Sequence, residues 1–170
     1  LAPGCESGVG GIDGGFDVIC FDIDPDKTAA MADLGAKIAE SSRLVADYAE
    51  IVLACLPTEE ASRTVASGIA QGRVTKVYVE TSTIGQRTIL SIADELGKQG
   101  IATLDMPVSG GPSWAREGRL TGILSGPADA LEPARDRGGA LDLDDEVDRA
   151  HVDAELQGAG RHQGGEAAGF

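Results

Sequence analysis

Four short apolar runs recur along this chain, separated by stretches with helical spacing, and that alternation constrains the fold more than any other feature. Val18-Ile19-Cys20-Phe21, Ile51-Val52-Leu53-Ala54-Cys55-Leu56, Lys76-Val77-Tyr78-Val79-Glu80 and Ile101-Ala102-Thr103-Leu104-Asp105 each read as a strand. The first two are apolar throughout, as expected for strands covered on both faces. Between the runs the apolar period changes. Asp24-Pro25-Asp26 forms a turn with Pro25 placed to open a helix, and Met31, Leu34 and Ile38 follow at helical spacing. Leu44, Val45 and Tyr48 suggest a short second helix, and Ala61, Val65 and Ile69 mark one face of a third. Ile89, Ile92, Ala93 and Leu96 give the pattern of a well-formed helix that closes near Gly97 and Gly100. Strands alternating with helices of this length predict βαβ units and an α/β, Rossmann-like, mostly parallel sheet.

The alternation occupies residues 15–135. Residues 1–14 are Gly-rich without a period, and residues 136–170 are acidic and Gly-rich with thinly spread aliphatics, which predicts a disordered tail. The 170 residues suffice for one domain with a core. The formal net charge of −14 argues against a nucleic-acid surface and against docking on anionic lipid. No apolar run reaches the roughly 18 residues of a membrane span, and no basic-then-apolar leader is present. Cys5, Cys20 and Cys55 are too few and too scattered for a disulfide framework. They read as small buried residues in a reducing compartment, which predicts a cytoplasmic protein. No metal site is expected. Asp142-Leu143-Asp144-Asp145-Glu146 lacks the Gly and Glu that complete a calcium loop, and His151 and His162 have no partners at metal spacing.

In parallel sheets of this kind ligands bind beyond the carboxyl ends of the strands. Asp22 ends the first run. It suits the hydroxyls of an adenine ribose and repels a 2′-phosphate, to which Ile23 offers no positive charge; alternatively it caps the next helix. Leu56-Pro57 turns the backbone along a ligand or simply stops a strand. Ser82 and Thr83 carry hydroxyls that bond a cofactor or cap the helix near Gln86. Ser109-Gly110-Gly111 offers a hydroxyl and successive backbone amides unobstructed by side chains, a geometry that suits a carboxylate.

The string Asp105-x-Pro107-Val108-Ser109-Gly110-Gly111, continuing through Ala115 and Gly118 to Leu120, resembles the substrate-binding signature of the β-hydroxyacid dehydrogenases. That family includes 3-hydroxyisobutyrate dehydrogenase, tartronate semialdehyde reductase and, more distantly, 6-phosphogluconate dehydrogenase. The flanks agree: Val18 to Lys27 resembles the family's second strand, and Leu56-Pro57 and Ser82-Thr83 resemble its cofactor-contacting loops. The resemblance covers about residues 15–135. It implies hydride transfer between NAD(P) and a small 3-hydroxy acid, with NAD favoured over NADP. It places Ser109, Gly110 and Gly111 on the substrate carboxylate, and Asp22, Leu56, Pro57 and Thr83 on the dinucleotide.

Two parts of the family pattern are missing or degenerate. The family opens with a strand and a G-x-G-x-x-G turn that holds the pyrophosphate. Gly8-Val9-Gly10 has no strand before it and too little room for a helix before Val18. After Arg135 nothing resembles the all-helical domain that carries the family's catalytic lysine, and Lys27, Lys37, Lys76 and Lys98 all fall in or beside Rossmann elements. No catalytic residue is therefore assigned. A shifted reading frame at both ends is the expectation that joins such a middle to such flanks. The alternative function is a non-catalytic fragment with at most weak nucleotide binding.

Overall fold

The computed structural model describes Ile12 and residues 15–130 except 118 and 129. Gly8-Val9-Gly10, Cys5, Gly118, the acidic tail and both histidines lie outside the described residues.

Among the described residues the regular elements begin with β1 (Ile19–Cys20) and α1 (Pro25–Asp33). Asp24 is the N-cap of α1, its side chain accepting from the Asp26 amide, and Pro25 fills the first turn as its fixed φ allows. Gly35, at φ 101°, then reverses the chain into β2 (Lys37–Ile38), which pairs parallel with β1. Gly35 corrects the helical reading of Ile38: the helix ends before it, and Ile38 lies in a strand, 42% exposed. The helix α2 (Ser42–Ala46) follows, capped by Ser41, and Tyr48 falls beyond it at 72% exposure.

The next three strands form one parallel sheet in sequence order: β3 (Ile51–Ala54), β4 (Val77–Glu80) and β5 (Ala102–Asp105). The helix α3 (Glu59–Ile69) connects β3 to β4, and α4 (Gln86–Gly97) connects β4 to β5. The register aligns Val52, Tyr78 and Thr103 in one row and Ala54, Glu80 and Asp105 in the next such row, at the strands' carboxyl ends. Because side chains alternate, Val52, Ala54 and Tyr78 face one way. They pack with Val45, Ala66, Ile69, Ile92 and Leu96 of the helices into the larger core. Val77, Val79 and Leu104 face the other way and pack with Met106, Leu124 and Ala130. Beyond β5, β6 (Val108–Ser109), α5 (Gly111–Arg116) and β7 (Thr121–Gly122) form an antiparallel excursion, and Ser125 bridges back to Asp105.

The architecture is α/β with parallel pairing throughout both sheets that lead into the carboxyl-end loops. Two expected strands are shorter than their apolar runs. Val18–Phe21 contracts to Ile19–Cys20, half-buried, and Ile51–Leu56 contracts to Ile51–Ala54 with Leu53 52% exposed. Among the described residues β1 and β3 lie in separate sheets, so each has only one paired edge there. Cys20 and Cys55 are half-buried instead of buried for the same reason. Among the described residues no helix is long and apolar enough to cross a membrane.

Candidate dinucleotide and carboxylate site

The carboxyl ends of β3, β4 and β5 are stitched together by hydrogen bonds. The Thr81 amide and its Oγ1 both donate to the Ala54 carbonyl at 2.8 Å. The Leu56 amide donates to Ser82 Oγ at 2.6 Å. The Met106 amide donates to the Glu80 carbonyl at 2.8 Å. The Leu56-Pro57 turn, the Thr81-Ser82-Thr83 turn and the start of the Asp105 loop therefore form one continuous rim.

This settles what the hydroxyls do. The N-cap of α4 is Gly85, with no side-chain cap, so neither Ser82 nor Thr83 caps that helix. Thr81 and Ser82 are turned inward to bind the neighbouring loop, while Thr83 is exposed on the rim and Pro57 is exposed across from it. Thr83 and Ser82 also line a cavity of about 280 Å3, together with Thr103, Asp105, Pro107 and Ser125. That volume sits at the lower edge of small-molecule pockets, about 300–1,000 Å3, and is too small for a whole dinucleotide. The cavity contains Thr83 but not Asp22, Leu56, Pro57, Ser109, Gly110 or Gly111.

Asp22 sits at the end of β1, as expected, but it does not cap α1; Asp24 does. Asp22 Oδ1 accepts from the Asp24 amide at 2.9 Å, and Oδ2 lies 3.5 Å from Lys27 Nζ. The same ammonium lies 3.9 Å from Asp24, so one cation is shared by two partly exposed carboxylates. Ile23, beside them, is 91% exposed and offers an apolar face at this end of the sheet. Lys27 was not foreseen as a neighbour of Asp22; its position in the first turn, three residues after the cap Asp24, was the available signal.

Ser109 is exposed at the end of β6. Gly110 and Gly111 follow at φ 132° and 70°, backbone states that favour glycine. A Cβ on Gly110 would meet Trp114 Cε3 at 2.7 Å, so the Trp114 ring packs directly on the loop. Arg119 covers that ring from 5.2 Å and pairs with Glu117 at 2.9 Å.

A buried carboxylate was also missed. Glu80 is fully buried; its Oε2 accepts from the Tyr78 hydroxyl at 2.9 Å and its Oε1 from the Ser82 amide at 3.1 Å. Burial, with the Glu80 charge and hydrogen bond behind it, pushes the Tyr78 phenol far above its ordinary range, so the hydroxyl remains the donor. The signal lay in the i, i+2 spacing, which puts Tyr78 and Glu80 on one strand face.

Residues 10–137 match the sequence model of the family described as the NAD binding domain of 6-phosphogluconate dehydrogenase. The chain belongs to this family. A 3-hydroxyisobutyrate dehydrogenase of Pseudomonas aeruginosa is 31% identical over 125 residues, which covers 71% of this chain and 42% of that protein. The human mitochondrial 3-hydroxyisobutyrate dehydrogenase is 32% identical over 132 residues, covering 75% of this chain and 39% of that protein. The chain thus spans about two fifths of the length of these relatives. The solved structure of Mycobacterium tuberculosis 3-hydroxyisobutyrate dehydrogenase with L-serine superposes with a TM-score of 0.76 at 24% identity, over 80% of this chain and 47% of that one. That likeness shows the fold, a Rossmann-like one. The family fixes the cofactor class as NAD.

Proposed function

We propose that this chain supplies the cofactor-binding part of an NAD-dependent dehydrogenase acting on a small 3-hydroxy acid, of the 3-hydroxyisobutyrate dehydrogenase kind. The observation that carries the reading is the stitched rim. It presents Leu56, Pro57 and Thr83 along one edge, continuous with the Asp105 loop that leads to Ser109. The residues fit the dinucleotide. Asp22 keeps a partly exposed carboxylate for ribose hydroxyls, with exposed Ile23 beside it for an adenine face. Ser109 and the two glycines, whose positive φ angles favour residues without a side chain, fit a carboxylate that accepts from the hydroxyl and the loop amides. When bound, NAD supplies the hydride acceptor, and the protein's part is to hold and orient. The half-buried free thiol of Cys55 fits a reducing compartment and a cytoplasmic home.

The second reading, a non-catalytic nucleotide binder, is favoured by the lysines. Lys27 is held by Asp22 and Asp24, Lys37 by Asp17, and Lys76 by Glu50, while Lys98 follows the C-terminal end of α4. The test is titration with NADH followed by 3-hydroxyisobutyrate, read on Trp114 fluorescence. The dehydrogenase reading expects saturable changes from both ligands, the second abolished in Ser109→Ala. NADH binding with no response to any small hydroxy acid supports the second reading instead.

A further inference from the structure

Glu80 is a carboxylate buried to completion at the carboxyl end of β4, paired in register with Ala54 on one side and Asp105 on the other. Burying such a group is costly unless it is hydrogen-bonded, and an apolar residue of similar volume would serve packing alone as well or better. What an apolar residue lacks is two acceptor oxygens, and both are used. Oε2 takes the Tyr78 hydroxyl, which fixes the carboxylate plane from inside the core, and Oε1 takes the Ser82 amide. Ser82, held at its backbone, offers Oγ to the Leu56 amide 26 residues away. The carbonyl of the same Glu80 holds the Met106 amide at the start of the substrate loop. The Glu80 side chain thus ties the loops after β3 and β4 together through Ser82, and its backbone carbonyl adds the main-chain bond to the loop after β5.

We propose that Glu80 is a positioning residue for the nicotinamide half of the dinucleotide: by holding Ser82 it locks the Leu56-Pro57 and Ser82-Thr83 turns in the arrangement that binds it. This rests on the NAD reading above. Asp22 and Ile23 follow β1, which pairs in a separate sheet among the described residues, and the bonds of Asp22 run to Asp24 and Lys27, outside this network. The adenosine half is therefore insulated from it.

The experiment uses the 170-residue chain, with amide hydrogen exchange at Leu56 and Ser82 and equilibrium titrations with NADH and with AMP. In Glu80→Ala, exchange at both amides accelerates and NADH affinity falls about tenfold, while AMP affinity stays within about twofold. Glu80→Gln, which keeps one carbonyl oxygen for the Ser82 amide, restores most of the NADH affinity. Unchanged exchange and unchanged NADH affinity in Glu80→Ala overturn the proposal. So does an equal loss of NADH and AMP, which a merely structural role produces. If Glu80→Ala does not fold, Ser82→Ala decides: it removes only the acceptor for Leu56. Faster Leu56 exchange with a loss confined to NADH supports the proposal, and no change overturns it. A wild-type chain that binds neither NADH nor AMP sinks the cofactor reading, and the two exchange rates then decide the positioning role by themselves.

Discussion

Asp22 and Lys27 set the charge that a ribose would meet at the end of β1, and their balance can be altered one residue at a time. Asp22 repels a 2′-phosphate, but the ammonium it holds at 3.5 Å would attract one once released. Asp22→Asn is expected to weaken NADH binding about tenfold, the loss of roughly one charge-assisted hydrogen bond, and to bring NADPH to parity or better. Paired titrations with the two cofactors check this, and an unchanged preference for NADH would remove Asp22 from the ribose site. Gly110 offers a second test. Gly110→Ala puts a Cβ against Trp114 at a φ of 132°, which alanine resists. It is expected to cost about 1–3 kcal/mol of stability by overpacking. The Trp114 emission should shift with it, read by thermal unfolding and fluorescence. At this scale the sequence made positions legible: Asp22, Pro57 and Thr83 follow their strands, exposed or partly exposed, and Ser109 is exposed beside its two glycines. Glu80 was legible only in its spacing from Tyr78; its link to Leu56 runs through Ser82 across the sheet, and only the fold brings those together.

Elements show the same division between local and non-local causes. Helix openings and long helices were readable, caps were not: Pro25 opens α1 but Asp24 and not Asp22 caps it, neither Ser82 nor Thr83 caps α4, and the spacing of Ile89, Ile92 and Leu96 gives the buried face of α4. β2 was not readable, since two residues following Gly35 carry no period of their own and form a strand only because β1 offers an edge. Leu53 likewise reads as buried but is half exposed, because burial depends on what covers the sheet and not on the strand's own composition. The strand β4 is buried at every position, and its Tyr78–Glu80 pair makes its stability sensitive to alkali. Tyr78 has a folded pKa raised above its ordinary 10.0, by burial first and by Glu80 second. The unfolded chain releases that phenolic proton above about pH 10 and the folded chain does not, so this contribution is whole below pH 10 and is lost as pH rises past it. Tyr78→Phe should therefore flatten the fall of unfolding free energy above pH 10 by about 1.4 kcal/mol per pH unit. Below pH 10 it should cost about 1–3 kcal/mol, because Glu80 Oε2 loses its donor. Urea unfolding at a series of pH values measures both effects. A parallel pair of curves for wild type and variant would show that Tyr78 ionises freely.

The whole molecule separates holding from chemistry. Hydride transfer from an alcohol needs a placed cofactor, a placed carboxylate and a group that takes the hydroxyl proton. On the proposed reading, the rim with the Asp22 loop would serve the first and the Ser109 loop the second. For the third, the four lysines of the chain are badly placed. Lys76 immediately precedes β4 and Lys98 follows α4, both at the end of the sheet opposite the rim. Lys37 lies in β2 facing Asp17. Only Lys27 is near a carboxyl end, and there its ammonium is shared between Asp22 and Asp24. The isolated 170-residue polypeptide is thus expected to bind NAD while oxidising 3-hydroxyisobutyrate at a rate lowered by about 10²–10⁴, the typical worth of a positioned acid or base. NADH formation at 340 nm with purified chain and a Ser109→Ala control measures it. Fusing the helical portion of a 3-hydroxyisobutyrate dehydrogenase after residue 130 should restore turnover if the rim is a working half-site. Robust turnover by the unfused chain that disappears in Ser109→Ala would instead mean that a base lies within these 170 residues, and the lysine argument would fall.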